Sequence, residues 1–306
     1  MSVDKPQGEN VDRPRVAVLG AGTMGAGIAG VFASLGYPVS VYSRSIDTLD
    51  IARSKIELLA GNQADVEYTT SMLGSVSGAG IVTENLAEDV SLKRRVFAEI
   101  EAVVSEDCLL TTNTSSVPIT LIAEGLVRPE RVVGIHWFNP PAVMPLVEIV
   151  RGAKTSGDIV RRARDLCTAI GKEVIEVKID VAGFVVNRLQ YAILREALHL
   201  VSEGVASIED VDRAVETTLA PRWSAAGPLR LMDMAGLDTV EKVSGILMPA
   251  LDRSETVPAL VRSLCNEGAF GTKSGRGFYH WTEETVAAAI AGRDDTVRLL
   301  TERRKS

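Results

Sequence analysis

Residues 16–30 read VAVLGAGTMGAGIAG, and the fold follows from how this stretch is punctuated. Val16 to Leu19 are apolar without alternation, which is the pattern of a strand buried on both faces of a parallel sheet. Gly20, Gly22 and Gly25 follow in the spacing G-x-G-x-x-G, and an Ala/Ile/Val/Phe-rich run at helical period comes next. Each glycine has its own task. Gly20 permits the tight turn, Gly22 lets backbone approach a pyrophosphate, and Gly25 lets helix pack on strand. An anion would then rest on the unpaired N–H groups at the helix start. The triplet alone is weak, but strand before and helix after turn it into a dinucleotide cradle.

Outward from this stretch the chain alternates strand and helix. Strands are expected at Pro38–Tyr42, Val66–Thr69, Gly80–Thr83, Leu109–Thr112, Arg131–His136, Leu146–Val150 and Glu173–Val177. Helices are expected at Asp47–Leu59, Val90–Val104 and Asp158–Ile170. This alternation is that of a doubly wound α/β sheet. The strand signal ends near Val181-Ala182-Gly183. A long apolar helix is expected from Phe184 to Glu203, then helices at Ile208–Thr218, Leu229–Leu247 and Val257–Asn266, separated by Pro221, Gly227-Pro228 and Pro249. The expected domains are a disordered leader over 1–13, a dinucleotide-binding domain over 14–182, a helical substrate and dimerisation domain over 183–282, and a C-terminal helical tail over 283–306.

Composition sets the bounds. With 306 residues there is room for two domains, and 46% hydrophobic residues can fill a sizeable core. No apolar run approaches the roughly 20 residues of a membrane span. Residues 1–13 lack the apolar region of a signal peptide. A net charge of −7 with 5% aromatics argues against nucleic acid as a partner. Cys108, Cys167 and Cys265 are far apart and have no metal-ligand spacing, so they are read as buried thiols in a reducing cytoplasm, with no metal site.

Three histidines are present, and one is well placed for chemistry. His199 lies mid-helix and His280 in a strand-like end, both read as packing or surface residues. His136 closes a sheet strand, and ligands of open α/β sheets gather outside the strands' carboxyl ends. Glu148 lies twelve residues on, in the middle of the apolar strand LVEIV, where a carboxylate is costly unless paired. Paired with His136 it would fix the imidazole tautomer and stabilise the imidazolium, giving a general base. Ser115 at a strand end and Asn187 near a helix start are uncharged donors able to hold a substrate oxygen. Glu84, Glu88 and Lys93 sit at a strand end and on the next helix, a pattern common on protein surfaces.

The motifs GAGTMG, TNTSS, HWFNPP with PLVEIV, GFVVNRL, GLDT and GTKSGRGFY occur in the order found in the L-3-hydroxyacyl-CoA dehydrogenase family, which the chain resembles from Arg15 to Trp281. The wording GFVVNRLQYAI and REALHLV is most similar to the branch containing L-gulonate 3-dehydrogenase (lambda-crystallin) and carnitine dehydrogenase. The resemblance implies a Rossmann-type sheet followed by an all-helical domain that dimerises. It implies His136 as catalytic base, Glu148 as its partner, and Ser115 and Asn187 on the reacting oxygen. Glu88, Lys93 and Asn139 would lie around the nicotinamide half of the cofactor, with Thr23, Met24 and Asn113 also among the cofactor residues.

Three departures from the family pattern carry weight. Ser43-Arg44 stands where an acid normally meets the adenosine ribose. The segment from Ser43 to Val66 has room for one helix, where long-chain acyl-CoA members carry an extended pair. Arg230 follows Gly227-Pro228-Leu229, where an acid is frequent. Ser43 removes the charge that would repel a 2′-phosphate, and Arg44 supplies a bidentate donor, so NADP is expected in preference to NAD. The expected activity is hydride transfer between that cofactor and the 3-hydroxy/3-oxo carbon of a short 3-hydroxyacyl thioester. A free hydroxy acid of gulonate or carnitine type is the alternative substrate. A non-catalytic, crystallin-like protein is the alternative of another class.

Overall fold

The computed structural model describes residues 13–305; the leader expected over 1–13 lies, Arg13 apart, outside the described residues. Eight strands form one sheet: β1 (Val16–Leu19), β2 (Val39–Tyr42), β3 (Val66–Thr69), β4 (Ile81–Glu84), β5 (Leu109–Thr112), β6 (Val132–Trp137), β7 (Leu146–Val150) and β8 (Glu173–Val177). Their order is β3-β2-β1-β4-β5-β6-β7-β8. β1 is buried along its whole length and pairs in parallel with β2 on one side and β4 on the other. Strand order reverses there, opening the crevice at the strands' carboxyl ends where Rossmann-type sheets take dinucleotides.

The connecting helices are α1 (Thr23–Ser34), α2 (Ile46–Ala60), α3 (Met72–Val76), α4 (Val90–Glu101), α5 (Ile119–Ala123) and α6 (Gly157–Ala169). One apolar core lies between the sheet and α1, α2 and α6, and a second between the sheet and α4 and α5. Gly30 lets α1 approach α2, since a Cβ there would lie 2.6 Å from the Leu59 side chain. The short helices α3 and α5 had no sequence signal, because five residues span little more than one period.

β7 departs from the parallel pattern. It runs antiparallel to β6, because residues 138–145 form a loop with no crossover helix between the two strands. The register sets His136 directly opposite Glu148.

The chain divides into two compact units between Asn187 and Arg188, inside the first turn of α7 (Val186–Ser202). The second unit continues with α8 (Ile208–Ala214), a π-helical turn at Val215–Leu219, α9 (Ala220–Ala235), α10 (Leu237–Leu247), α11 (Ala259–Asn266) and α12 (Glu283–Lys305). Pro221 does not separate helices, since it sits in the first turn of α9, but Gly227 breaks α9 ahead of Pro228 with φ 66° and ψ 164°, where a separation was expected. The single helix expected over Leu229–Leu247 is broken at Gly236, whose φ of 91° leaves the helical region. His280 takes part in an isolated bridge with Arg276. No described helix is long and apolar enough to cross a membrane.

Candidate active site

The glycine turn has the shape of a dinucleotide cradle. Gly20 has φ 105°, and a Cβ there would lie 2.6 Å from the Asn85 carbonyl oxygen. A Cβ on Gly25 would lie 1.8 Å from the Gly20 carbonyl oxygen, so only glycine lets α1 pack back on the turn. A Cβ on Gly22 would meet nothing within 4 Å, and no side chain caps α1, so its first N–H groups have no side-chain acceptor at the cap. Thr23 and Met24 form the first turn of α1. Beside this turn lies a cavity of about 670 Å³, lined by Gly22, Ser43, Arg44, Leu92, Arg95 and Val96 among others. Backbone donors, an apolar wall and cations in one crevice fit a dinucleotide. No carboxylate stands at the end of β2. Ser43 Oγ accepts from Ser45 N at 3.3 Å, and Ser45 Oγ caps α2 by accepting from Thr48 N at 3.3 Å.

His136 and Glu148 form a buried pair, 3% and 0% exposed. Nδ1 of the histidine lies 2.7 Å from Glu148 Oε2. The carboxylate accepts only, so it fixes the proton on Nδ1 and leaves Nε2 with its lone pair. The other oxygen, Oε1, accepts from Val185 N and Val186 N at 3.0 Å each. Those two donors point at one atom because the chain turns through Gly183 and Phe184 with φ of 76° and 50°. Phe184 is thus an L-residue held in the left-handed region, and it packs edge-on against the His136 ring at 5.6 Å. The histidine is held by Glu148 at Nδ1 and by edge contacts with the Phe138 and Phe184 rings.

Glu84 and Lys93 are buried, which corrects the surface expectation for these two, while Glu88 stays exposed as expected. Glu84 is 0% and Lys93 1% exposed, with Nζ 2.9 Å from both Glu84 oxygens. Glu84 also accepts from Leu86 N at 2.6 Å and Thr112 Oγ1 at 2.7 Å. Lys93 reaches Glu88 at 3.4 Å. Glu88 Oε1 in turn accepts from Thr114 Oγ1, Ser115 N, Ser116 N and Ser116 Oγ at 2.6–3.0 Å. Partial burial works to raise the Glu88 pKa. The Thr114 hydroxyl, the Lys93 charge and the two N–H donors outweigh it, and the pKa lies below the ordinary value. This network clamps the loop that carries Ser115 to the ends of β4 and β5.

The other expected residues are accounted for one by one. Asn187 Nδ2 donates to the Ser115 carbonyl at 3.4 Å, so the two residues are brought together. Asn113 Oδ1 accepts from Trp137 N at 2.8 Å and pins β5 to β6. Asn139 is exposed in the loop after β6. Lys172 staples that loop by donating from Nζ to the carbonyls of Pro141 and Met144 at 2.6 and 2.7 Å. Burial pushes its ammonium down to about 8. Cys108 and Cys167 are buried as expected, but Cys265 is exposed. No group of side chains suited to a metal ion occurs among the described residues.

Sequence reasoning named Glu84 but left it on the surface, and it missed Lys172, Arg95 and the Val185–Val186 donors. The first had a legible signal: an acid closing the apolar strand IVTE is as costly alone as Glu148 in LVEIV. The donors had only Gly183, which marks a turn without showing where it aims them.

A dinucleotide cradle and a carboxylate-held histidine at the same sheet edge define a nicotinamide-dependent dehydrogenase acting on a CH–OH group. The chain belongs to the 3-hydroxyacyl-CoA dehydrogenase family: residues 15–181 match its NAD binding domain and residues 183–281 its C-terminal domain. It is 37% identical over 290 residues to 5-formyl-3-hydroxy-2-methylpyridine 4-carboxylate 5-dehydrogenase of Mesorhizobium japonicum, covering 91% of this chain and 94% of that one. It is 37% identical over 283 residues to 3-hydroxybutyryl-CoA dehydrogenase of Mycobacterium tuberculosis, covering 87% and 97%. A crystal structure of the pyridine carboxylate 5-dehydrogenase, described as an NAD+-dependent dismutase, matches with a TM-score of 0.87 at 36% identity, covering 95% of this chain and 98% of that one. The protein is an oxidoreductase of the 3-hydroxyacyl-CoA dehydrogenase type.

Proposed function

We propose that the protein interconverts the 3-hydroxy and 3-oxo forms of a short 3-hydroxyacyl thioester, with His136 as base and NADP as the preferred cofactor. The observation that carries the chemistry is the 2.7 Å contact between His136 Nδ1 and Glu148 Oε2. In oxidation His136 Nε2 takes the hydroxyl proton, and Glu148 stabilises the imidazolium that forms. A base so placed is worth roughly 10²–10⁴-fold in rate. The nicotinamide supplies the acceptor for the hydride leaving C3. In reduction His136 returns the proton, while Ser115 and Asn187 hold the substrate oxygen. Glu88 and Lys93 keep the Ser115 loop in place, and with Asn113 and Asn139 they would hold the nicotinamide half of the cofactor.

Gly20, Gly22, Thr23, Met24 and Gly25 hold the pyrophosphate in this reading. Ser43 and Arg44 face the adenosine ribose, and the absence of an acid at the end of β2 is what supports NADP. Residues 14–182 serve the cofactor and 183–282 the substrate and a homodimer contact, with 283–306 as a tail. The dimer is supported by apolar residues left exposed on the helical unit, among them Leu189, Tyr191, Leu229, Met234, Leu237 and Ile246. A cytoplasmic setting is supported by three free cysteines.

A second reading, a free small carboxylate substrate, is favoured by two observations. α2 is a single helix of 15 residues, without the extended pair of long-chain acyl-CoA members. The pyridine carboxylate dehydrogenase relative covers the chain as fully as the thioester enzymes do. The gulonate and carnitine branch belongs with this reading. Initial rates with acetoacetyl-CoA, against a panel of free hydroxy acids and pyridine aldehydes, separate the two. Turnover confined to the free acids or aldehydes would overturn the thioester reading.

A further inference from the structure

Guanidinium groups around the sheet are mostly engaged: Arg15 with Glu67, Arg94 with Glu124, Arg128 with Glu106 and Glu130, Arg164 with Glu176. Arg44 and Arg95 are not. Among the described residues neither side chain has a hydrogen-bond or ion-pair partner, although Arg95 is the immediate neighbour of the engaged Arg94. Both line the cavity of about 670 Å³ beside the glycine turn. They come to it from its two walls, because Arg44 follows β2 and Arg95 lies on α4 after β4, and β2 and β4 flank β1.

The chemistry of the lining is specific. Leu92 and Val96 present apolar surface from α4, suited to a flat base, and Arg95 stands beside them. Among the described residues Glu99 is the only carboxylate that lines this cavity, so their charged side chains there sum to one excess positive charge. Two cations left unpaired around one crevice repel each other, and that cost is relieved when an anion binds between them. The pyrophosphate is already provided for by the α1 N–H groups at Gly22. A further anion on the adenosine side calls for its own donors.

We infer that Arg95 is a specificity-determining residue, the second cationic group for the 2′-phosphate of NADP, acting with Arg44. The inference rests on the NADP reading above and extends it to a residue on α4 that no motif of the family marks. Arg44 supplies the contact from the β2 side and Arg95 from the α4 side, so the phosphate is gripped by two guanidinium groups. Glu99, one helical turn beyond Arg95, opposes an anion and limits the preference.

The test is calorimetric titration of the intact protein with adenosine 2′,5′-bisphosphate and with adenosine 5′-monophosphate, for wild type, Arg95→Ala and Arg95→Lys. Thermal melting confirms that these changes of an exposed side chain leave the fold intact. Wild type is expected to favour the bisphosphate. Arg95→Ala should lose roughly ten- to a hundredfold in bisphosphate affinity, the equivalent of one charge-assisted bond, with little change for the monophosphate. Arg95→Lys should recover part of the loss. Equal weakening of both ligands would make Arg95 a wall of the adenine site and overturn the inference. So would unchanged bisphosphate affinity in Arg95→Ala. A wild type that does not discriminate between the two ligands would overturn the NADP reading itself, a result distinguishable from failure of Arg95 alone.

Discussion

Replacing Glu148 by Gln tests the paired base at the level of a single proton. Oε1 of Glu148 accepts from two backbone N–H groups at 3.0 Å, while Oε2 faces His136 Nδ1 at 2.7 Å. A glutamine of the same shape must turn its oxygen to the two N–H groups, because its NH₂ there would strand both donors at about 1–3 kcal/mol each. The NH₂ therefore faces Nδ1 and donates to it. His136 then carries its proton on Nε2, the wrong nitrogen for a base. In a serine protease triad the same tautomer fault costs roughly 10⁴ in kcat, and a loss of about 10³–10⁴ is expected here for alcohol oxidation at neutral pH. The assay is nicotinamide absorbance in both directions with a verified substrate, with a thermal melt to show that folding is retained. Glu148→Ala should instead melt earlier, because it strands the Val185 and Val186 donors. Near-normal oxidation by Glu148→Gln would refute the reasoning.

Lys93→Met should destabilise strongly, by about 3–5 kcal/mol in urea unfolding, because it leaves the Glu84 charge buried and unpaired. Adding Glu84→Gln to it should restore part of that loss, and a double variant worse than the sum of the singles would contradict the buried pair. Lys172 is pushed from its ordinary value of 10.5 down to about 8 by burial. Above pH 8 the folded lysine is neutral while the unfolded chain still binds the proton, so stability should rise between pH 8 and 10.5. The rise should be missing in Lys172→Met, and identical pH profiles of the denaturation midpoint would count against the assignment. Ser43→Asp should move the kcat/KM ratio towards NADH by roughly one to two decades, through repulsion of the 2′-phosphate. A ratio that stays put, or a wild type that already prefers NADH, would sink the NADP reading.

Much of the sheet was legible because its strands carry local signals. Val16–Leu19 followed by three spaced glycines admits few other readings, and the acid inside LVEIV marked Glu148 without any structure. The antiparallel course of β7 had a signal that went unread, since residues 138–145 are too few for the crossover helix a parallel strand needs. Lys93 shares the buried face of α4 with Val96, Phe97 and Ile100 at helical spacing. That periodicity would have put the lysine inside, had its charge not argued for solvent. Within the helical unit, apolar periodicity runs unbroken through Leu229–Leu247, and only the positive φ of Gly236 divides it. The turn at Phe184, which aims two N–H groups at Glu148, left only Gly183 as a mark in residue type.

The central claim is that His136 is the base of a nicotinamide-dependent dehydrogenase, and a pH profile tests it most directly. kcat/KM for oxidation of the best substrate from the thioester and free-acid panel is measured across pH for wild type and His136→Asn. The account predicts that wild type loses activity as one group protonates on the acid side, and that His136→Asn is roughly 10²–10⁴-fold slower with that limb gone. A variant with wild-type turnover, or one that is slow but keeps the same acid limb, would contradict it.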